Sequence, residues 1–284
     1  MYHRKYYPLL AVFGLVLLLC SQAFGQIVVE LKETRRDFMV GEPVTLKLTL
    51  HNNSDETIAL RDIGEMPWLF LRVTQRGAGN RTISPIARAK FPPMTLKPGQ
   101  SLAHTLSLKS FYNFVGEGSY SCTATVCMQD GKTTFSSMPA RFDLIGGSAL
   151  WSQQVHVKGK SLRLSVCCMH VGGKAFLFGQ VVNEDTRLVV ASVPLGQFLN
   201  FAAPRCMMDG GKNVHVLFQS NTSYFTYAVF SPAGTRVSSQ LMKRAGGVPI
   251  GLVATGSGIQ VAGAVPYVPE KEAEEGRNAN ERPY

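Results

Sequence analysis

The stretch "CMMDGGKNVHVLFQ", residues 206–219, decides the fold because the chain contains a second version of it. Residues 167–180, "CCMHVGGKAFLFGQ", can be laid over it, and the two Gly-Gly-Lys marks lie 38 positions apart. An apolar run with the alternation of a half-buried strand follows the glycines. The pattern predicts a repeated strand–turn–strand unit with Gly-Gly-Lys in the turn.

The match continues beyond this first hairpin. Asn183-Glu184-Asp185 and Asn221-Thr222-Ser223 are the next predicted turns, and "LVVASV" can be laid over "YAVFSP". A shorter copy, "PIGLVATGSGIQVAGA" (residues 249–264), repeats only the first hairpin. Periods near 40 residues with three or four strands each are typical of β-propeller blades.

The unit "DGGKNVHVLFQ" resembles the strand–turn–strand of blades in secreted β-propellers of the BNR or Asp-box kind, over about residues 160–267. The number of units departs from that family. The chain has two and a half units, or three if "ALWSQQVHV" (residues 149–157) supplies strands, whereas a closed ring usually needs at least four. We therefore expect an open array, one packed on the preceding domain, or one completed by a second copy that covers its apolar faces.

The first half of the chain also alternates, in short strands separated by turn signals. "PVTLKLTLHNNSDETIAL" (residues 43–60) places Val44, Leu46, Leu48 and Leu50 on one face. "WLFLRVTQRG" is a second strand, "TLKPGQSLAHTLSL" contains a turn and a strand, and "GEGSYSCTATVCMQDGKTTFSS" reads as a hairpin around Asp-Gly. Strands at intervals of about ten residues indicate a β-sandwich.

These segments, with "SMPARFDLI", resemble bacterial immunoglobulin-like modules, including the BsuPI-type proteinase-inhibitor and macroglobulin-like domains, over about residues 27–145. Tyr120, two residues before Cys122, is similar to the tyrosine corner of such sandwiches. Core packing is the alternative role for Tyr120 and Trp68. The family's inter-sheet disulfide is not implied, because no cysteine lies on the strand around residues 45–50.

The N-terminus predicts export. Arg4 and Lys5 precede an apolar run over residues 9–19, and Ala23-Phe24-Gly25 offers a cleavage site before Gln26. An uncleaved anchor and lipidation at Cys20 are the alternatives. The fold prediction is therefore all-β, with an immunoglobulin-like sandwich followed by a partial propeller. Its segments are a signal peptide over 1–25, the sandwich over 26–145, the β-repeat domain over 149–268 and a disordered charged tail over 269–284.

Positive charge is concentrated in the first half of the chain. The net charge is +10, and residues 66–116 contain no Asp or Glu. A field of one sign attracts anionic partners, although a solvated basic surface that aids solubility is the alternative. The predicted binding residues are Arg72, Arg76, Arg81, Arg88, Lys90 and Lys97.

Five cysteines would remain after cleavage, and an odd number cannot all pair within one chain. Adjacent Cys167 and Cys168 face opposite ways in a strand, so we expect buried free thiols. Soft sulfur ligands that recur in both repeats would suit Cu(I), but equivalent positions in repeats are usually repeated core contacts, and we favour that role. We predict no metal and no cofactor, with Cys168, Met169, Cys206 and Met207 as secondary candidates.

Acidic residues are scarce where an enzyme of the propeller type would need them. Residues 145–268 contain only Glu184, Asp185 and Asp209, whereas glycoside hydrolysis normally requires two opposed carboxyl groups. His215 alternates with Val214 and Val216 and should point away from their face. No nucleophile elbow or phosphate loop occurs.

These patterns predict an exported, non-catalytic binding or assembly protein, periplasmic or secreted, with membrane contact only through its signal peptide. The expected partner is a protein or an anionic surface polymer, or a second copy, but no nucleic acid. The alternatives are an enzyme inhibitor that inserts the basic, Pro-rich loop 77–98, and a carbohydrate-active enzyme. Catalysis would require Asp37, Asp62, Glu65 or Asp209 gathered with a histidine in one pocket.

Overall fold

The computed structural model describes residues 26–88 and 90–268. The predicted signal peptide (1–25) and charged tail (269–284) lie outside these residues. In the described part, every regular element is a β-strand except a 3-10 turn at Leu108–Ser110. The all-β prediction is confirmed. No helix within the same part is long and apolar enough to cross a membrane.

The strands of the described residues are numbered in chain order. They are β1 Ile27–Glu33, β2 Asp37–Met39, β3 Thr45–Asn52, β4 Ile58–Leu60, β5 Leu69–Arg76, β6 Arg81–Ile83, β7 Met94–Leu96, β8 Ser101–Ser107, β9 Gly118–Cys127, β10 Thr134–Ser136, β11 Ala140–Ile145, β12 Ser148–Val157, β13 Lys160–Val171, β14 Lys174–Asn183, β15 Leu188–Phe198, β16 Arg205–Met208, β17 Val214–Gln219, β18 Tyr224–Phe230, β19 Arg236–Arg244, β20 Gly251–Thr255, β21 Gly258–Ala262 and β22 Ala264–Pro266.

The chain divides into two compact units that are not contiguous in sequence. The second unit starts its main segment at Asp143, close to the predicted domain boundary between residues 145 and 149. It also includes Asp37–Val44 and Phe114–Ser119, which lie within the predicted first domain. The remaining described residues up to Phe142 form the first unit.

The first unit contains small antiparallel sheets that each bury one face. β3 lies between β1 and β8, β5 lies between β9 and β6, and β4 pairs with β7. Leu46, Leu48 and Leu50 are at most 2 % exposed, as the alternation predicts. Asp130 accepts hydrogen bonds in the turn between β9 and β10, which confirms that predicted hairpin.

Both aromatic residues singled out in the sequence lie in the core of the first unit. Trp68 and Tyr120 are 1 % and 2 % exposed. The ring of Tyr120 stacks on Phe142 at 5.6 Å between centroids. The hydroxyl of a different tyrosine, Tyr112, donates to the backbone carbonyl of Leu71.

The second unit is a propeller-like arrangement of small antiparallel sheets, and its two larger sheets contain the predicted repeat. The first sheet has the order β12-β13-β14-β15, and the second has the order β16-β17-β18-β19-β22. Gly-Gly-Lys joins β13 to β14 and β16 to β17. Asn183 and Asn221 then cap equivalent turns, since each side-chain oxygen accepts two backbone N–H groups.

These two sheets pack face to face, as neighbouring propeller blades do, through one apolar core. Val166 and Cys168 of the first sheet meet Val216 and Phe230 of the second in this core. One close approach lies at Gly179, where an added Cβ would be 2.5 Å from the ring of Phe230. A glycine is therefore required for the two sheets to approach this closely.

Each sheet is also covered on its other face. Cys167, Met169 and Phe178 turn away from the shared core and pack with Met39, so adjacent Cys167 and Cys168 do face opposite ways. On the second sheet, the hairpin β20–β21 lies over the outer face, where the hydroxyl of Tyr227 contacts the carbonyl of Ile259 at 3.4 Å.

Two details of the repeat differ from the sequence prediction. The third copy does form a hairpin, but β20 and β21 pair only with each other and cover the second sheet. "ALWSQQVHV" belongs to β12, which extends the first sheet and starts no separate unit. A hairpin that forms a further blade and a hairpin that lies over a sheet have the same alternating pattern. The pattern alone therefore did not distinguish between them.

Replacing Gly179 with alanine tests the contact between the sheets. The new methyl group would overlap the Phe230 ring, and overpacking of this kind costs about 1–3 kcal/mol. Urea unfolding should show this loss of stability. Gly210→Ala is the matched control because its Cβ would meet nothing within 4 Å. Equal stability of the two variants would contradict the proposed packing constraint.

Candidate functional site

All six predicted basic residues are exposed, but they do not share one face. Arg72 and Arg76 lie on β5 at the positions that alternate with buried Val73. Arg81 is paired with Gln75, which shares the face of Val73. Within the described residues, none of the six has an ion-pair partner. The other three predicted binding residues lie outside strands β5 and β6, and they are Arg88, Lys90 and Lys97.

Arg88 lines an apolar cavity of about 200 Å³ in the first unit. Phe70, Phe111 and Tyr112 contribute to its walls. The loop that carries Arg88 is anchored where the N–H of Ile86 donates to the carbonyl of Phe111 at 2.8 Å. The predicted inserting loop 77–98 is thus partly strand, since it contains β6 and β7.

The four sulfur candidates for a metal are not gathered. Cys168 and Cys206 contact the core between the sheets, whereas Met169 belongs to the cluster around Met39. Met207 pairs with His215 on the outer face of the second sheet. No group of three or more His, Cys, Asp or Glu residues that could hold a metal is found in the described part of the chain.

The five described cysteines are free thiols, and four of them are buried. Burial raises the pKa of Cys206 and Cys122 to about 12 and that of Cys167 to about 11. These thiols stay protonated at neutral pH, whereas the thiolate is the form that binds metals and reacts as a nucleophile. They serve as small apolar core residues.

The structure does bring one of the four candidate acids to a histidine. Asp209 Oδ2 lies 3.2 Å from His215 Nε2, and His215 Nδ1 lies 2.6 Å from the hydroxyl of Tyr227. His215 points away from Val214 and Val216, as predicted, but it is buried beneath the outer face. Sequence reasoning missed Tyr227, whose approach depends on the pairing of β17 with β18.

Hydrogen bonds hold the Asp209 carboxylate in its charged form. Burial acts to raise its pKa, but hydrogen bonds from Asn213 and His215 outweigh burial and lower the pKa below its usual value. Burial, followed by the negative charge of Asp209, raises the pKa of Tyr227. Asp209, His215 and Tyr227 do not line the apolar cavity of the first unit. They also do not line a cavity of about 360 Å³ in the second unit. The network therefore ties the β16–β17 turn to β18.

The two remaining acids of residues 145–268 are adjacent in sequence and lie at one turn, between β14 and β15. Glu184 forms an ion pair with Arg163 at 3.1 Å, and Asp185 lies in the turn capped by Asn183. In the first unit, Asp62 accepts a hydrogen bond from the backbone of Trp68.

A second cavity, of about 360 Å³, lies in the second unit and was not foreseen from the sequence. Its polar lining consists of Arg205, Gln219 and Arg244. Both arginines lie in the acid-poor half of the chain, which was the only sequence feature that pointed to this cavity. The sequence could not show that the two side chains meet, because their meeting depends on the register of the sheet.

Comparisons with known proteins leave the family open. The sequence matches no protein-family model, and a comparison with curated proteins finds no match. Among solved structures, the chain is similar to the crystal structure of Spo0M, a sporulation control protein from Bacillus subtilis. The identity is 10 %, 91 % of this chain and 97 % of that chain are covered, and the TM-score is 0.27. A TM-score this low carries no inference about function.

The Asp209 network predicts that this carboxylate stabilises the fold to an extent that depends on pH. A folded pKa below the unfolded value means that the carboxylate stabilises the fold above about pH 4 and loses this effect as the pH falls through the folded pKa. Asp209→Asn should therefore cost about 1–2 kcal/mol near pH 6 and much less near pH 2.5. Urea unfolding at both pH values measures the change.

Asp185→Asn is the control for that measurement, because it removes a turn carboxylate that is exposed. A cost for Asp209→Asn that is equal at both pH values would argue against stabilisation by the charged form.

Proposed function

We propose that this chain is an exported, non-catalytic binding or assembly protein that engages an anionic polymer through its first unit. The observation that carries this proposal is the exposure of six basic side chains that have no ion-pair partner among the described residues. Arg72 and Arg76, two residues to either side of Thr74, form the densest pair on one strand face.

The charge distribution supports an anionic partner. Residues 66–116 contain no acid, so none of the sequence neighbours of these cations neutralises them, and the field of an exposed charge extends over about 8–10 Å at physiological salt. Exposed Phe70 lies on the same face of β5 as the two arginines. Such a surface suits a flexible polyanion, which gains several weak contacts at once.

The distribution of acids supports a non-catalytic role. Glu184 and Asp209 are engaged with Arg163 and His215, and two opposed carboxylates in one cleft are the requirement for glycoside hydrolysis. The inhibitor alternative rests on loop 77–98, which carries exposed Ile86, and it has no further support from the geometry.

We also infer the finer fold relationships from local features. Two antiparallel sheets with one buried face each support an immunoglobulin-like sandwich for the first unit. The repeated Gly-Gly-Lys and Asn turns of the second unit support a relationship to BNR or Asp-box blades. Export is inferred from residues 1–25 alone.

Binding of dextran sulfate to the mature full-length protein tests the proposed function. The double variant Arg72→Gln/Arg76→Gln should weaken binding about tenfold at low salt, because each lost contact contributes about 0.5–1 kcal/mol. Raising the salt concentration should weaken wild-type binding and reduce this difference. Calorimetry at two salt concentrations provides the measurement, with uncharged dextran as the reference polymer.

The double variant Lys160→Gln/Lys174→Gln is the charge-matched control, since both lysines are exposed in the second unit. It should retain binding close to the wild-type level. An equal loss in both double variants would show that net charge alone drives binding, and absence of binding to dextran sulfate would contradict the proposal.

A further inference from the structure

The cavity of about 360 Å³ lies on the outer face of the second sheet. Arg205 is paired with Leu217, and Gln219 with Phe225, in positions that alternate with the buried core residues Val216 and Phe218. Paired residues share a face. Arg244 follows Met242 by two positions, and Met242 is paired with Phe225. The register thus places all three polar side chains on one face.

One wall of the cavity is held in place by a close backbone approach. Gly247, Pro249 and Ile250 belong to the loop between β19 and β20 and line the cavity. At Gly263, an added Cβ would lie 2.6 Å from the carbonyl oxygen of Val248, and φ is 73°. Only glycine is compatible with this conformation and contact. The backbone contact at Gly263 therefore fixes the position of this wall.

The polar groups of the cavity have no side-chain partner among residues 26–88 and 90–268. The side chains of Arg205, Gln219 and Arg244 make no hydrogen bond or ion pair with any described residue. The three acids of residues 145–268 lie elsewhere, as shown above for Glu184, Asp185 and Asp209. Two guanidinium groups therefore line a concave surface, and no carboxylate of the described part of the chain pairs with them.

The repeat shows that the scaffold itself does not require this charge. In the equivalent hairpin of the first sheet, Cys168 pairs with Leu177 as Cys206 pairs with Val216. By this register, Cys167 occupies the position of Arg205, and it is buried in an apolar cluster. An arginine at a position where the same fold accommodates a small apolar residue is a local departure of the kind expected at functional sites.

We propose that this cavity binds a small organic oxyanion, a carboxylate or a phosphate monoester attached to an apolar ring. Arg205 and Arg244 pair with the oxyanion, and the amide of Gln219 donates to it, because guanidinium groups match both oxyanions in charge and geometry. Phe225 and Ile250 contact the ring. The volume of about 360 Å³ lies at the small end of ligand pockets, ~300–1,000 Å³, and suits one small molecule.

Calorimetric titration of the mature full-length protein tests the proposal with four probes. Phenyl phosphate and phenylacetate distinguish the two oxyanions, inorganic phosphate lacks the ring, and benzyl alcohol lacks the charge. At least one of the two ring-bearing anions should bind with a Kd below about 1 mM, and at least tenfold more tightly than inorganic phosphate or benzyl alcohol. Which ring-bearing anion binds more tightly identifies the oxyanion.

Arg205→Gln and Arg244→Gln should each weaken this binding about tenfold or more, since each removes a charge-assisted contact. Arg187→Gln, an exposed arginine in the turn before β15, is the matched control and should bind as the wild type does. Circular dichroism establishes that all three variants fold. Binding of benzyl alcohol as tight as that of the anions, equal affinity in the control and cavity variants, or no saturable binding of either ring-bearing anion would overturn the proposal.

The two binding proposals can fail separately. Arg72→Gln/Arg76→Gln should leave phenyl phosphate and phenylacetate binding unchanged, and Arg205→Gln should leave dextran sulfate binding unchanged. Loss of small-anion binding in the first of these variants would contradict the assignment of the site to the cavity.

Discussion

The contact between the ring of Phe230 and the backbone of Gly179 sets the separation of the two sheets in the second unit. Facing sheets normally lie about 10 Å apart, with side chains from both filling the gap. At Gly179 the first sheet contributes no side chain, and the Phe230 ring occupies that space. The small Cys168 and Ala228 contribute to the same core, so the large ring is accommodated by small neighbours. The positions of the remaining core side chains depend on this separation.

This packing leaves each sheet with a second face that must also be covered. Val166, Cys167 and Cys168 are all buried, and so are His215, Val216 and Leu217. Consecutive buried residues in a strand require a layer on both sides. The first sheet is covered by the segment 37–44, and the second by the hairpin β20–β21. Both covers come from parts of the chain that lie outside the two four-strand meanders.

The sequence predicted the local features of this unit well, because they depend on short-range chemistry. Gly-Gly-Lys and Asn turns require particular residues at fixed offsets, and the opposite orientation of Cys167 and Cys168 follows from the period of a strand. The placement of the β20–β21 hairpin was not predictable, since its residues alternate identically whether they extend a ring or cover a sheet. The meeting of Arg205 with Arg244 was likewise not predictable, because it depends on register across four strands.

The difference between the two covers explains why a cavity occurs on one sheet and not at the equivalent place on the other. The segment over the first sheet is fixed by hydrogen bonds from Ser192 to the carbonyls of Gly41 and Val40. Cys167 and Met169 are sealed beneath it. The cover of the second sheet has only two strands, about 10 Å across, whereas the five strands beneath it extend over about 24 Å. It reaches Tyr227 and leaves open the cavity that Arg205 and Phe225 line. A polar residue at the position of Cys167 would be buried without a partner, whereas Arg205 remains accessible to a ligand. The way in which each sheet is covered therefore determines which copy of the repeat can carry a charged site.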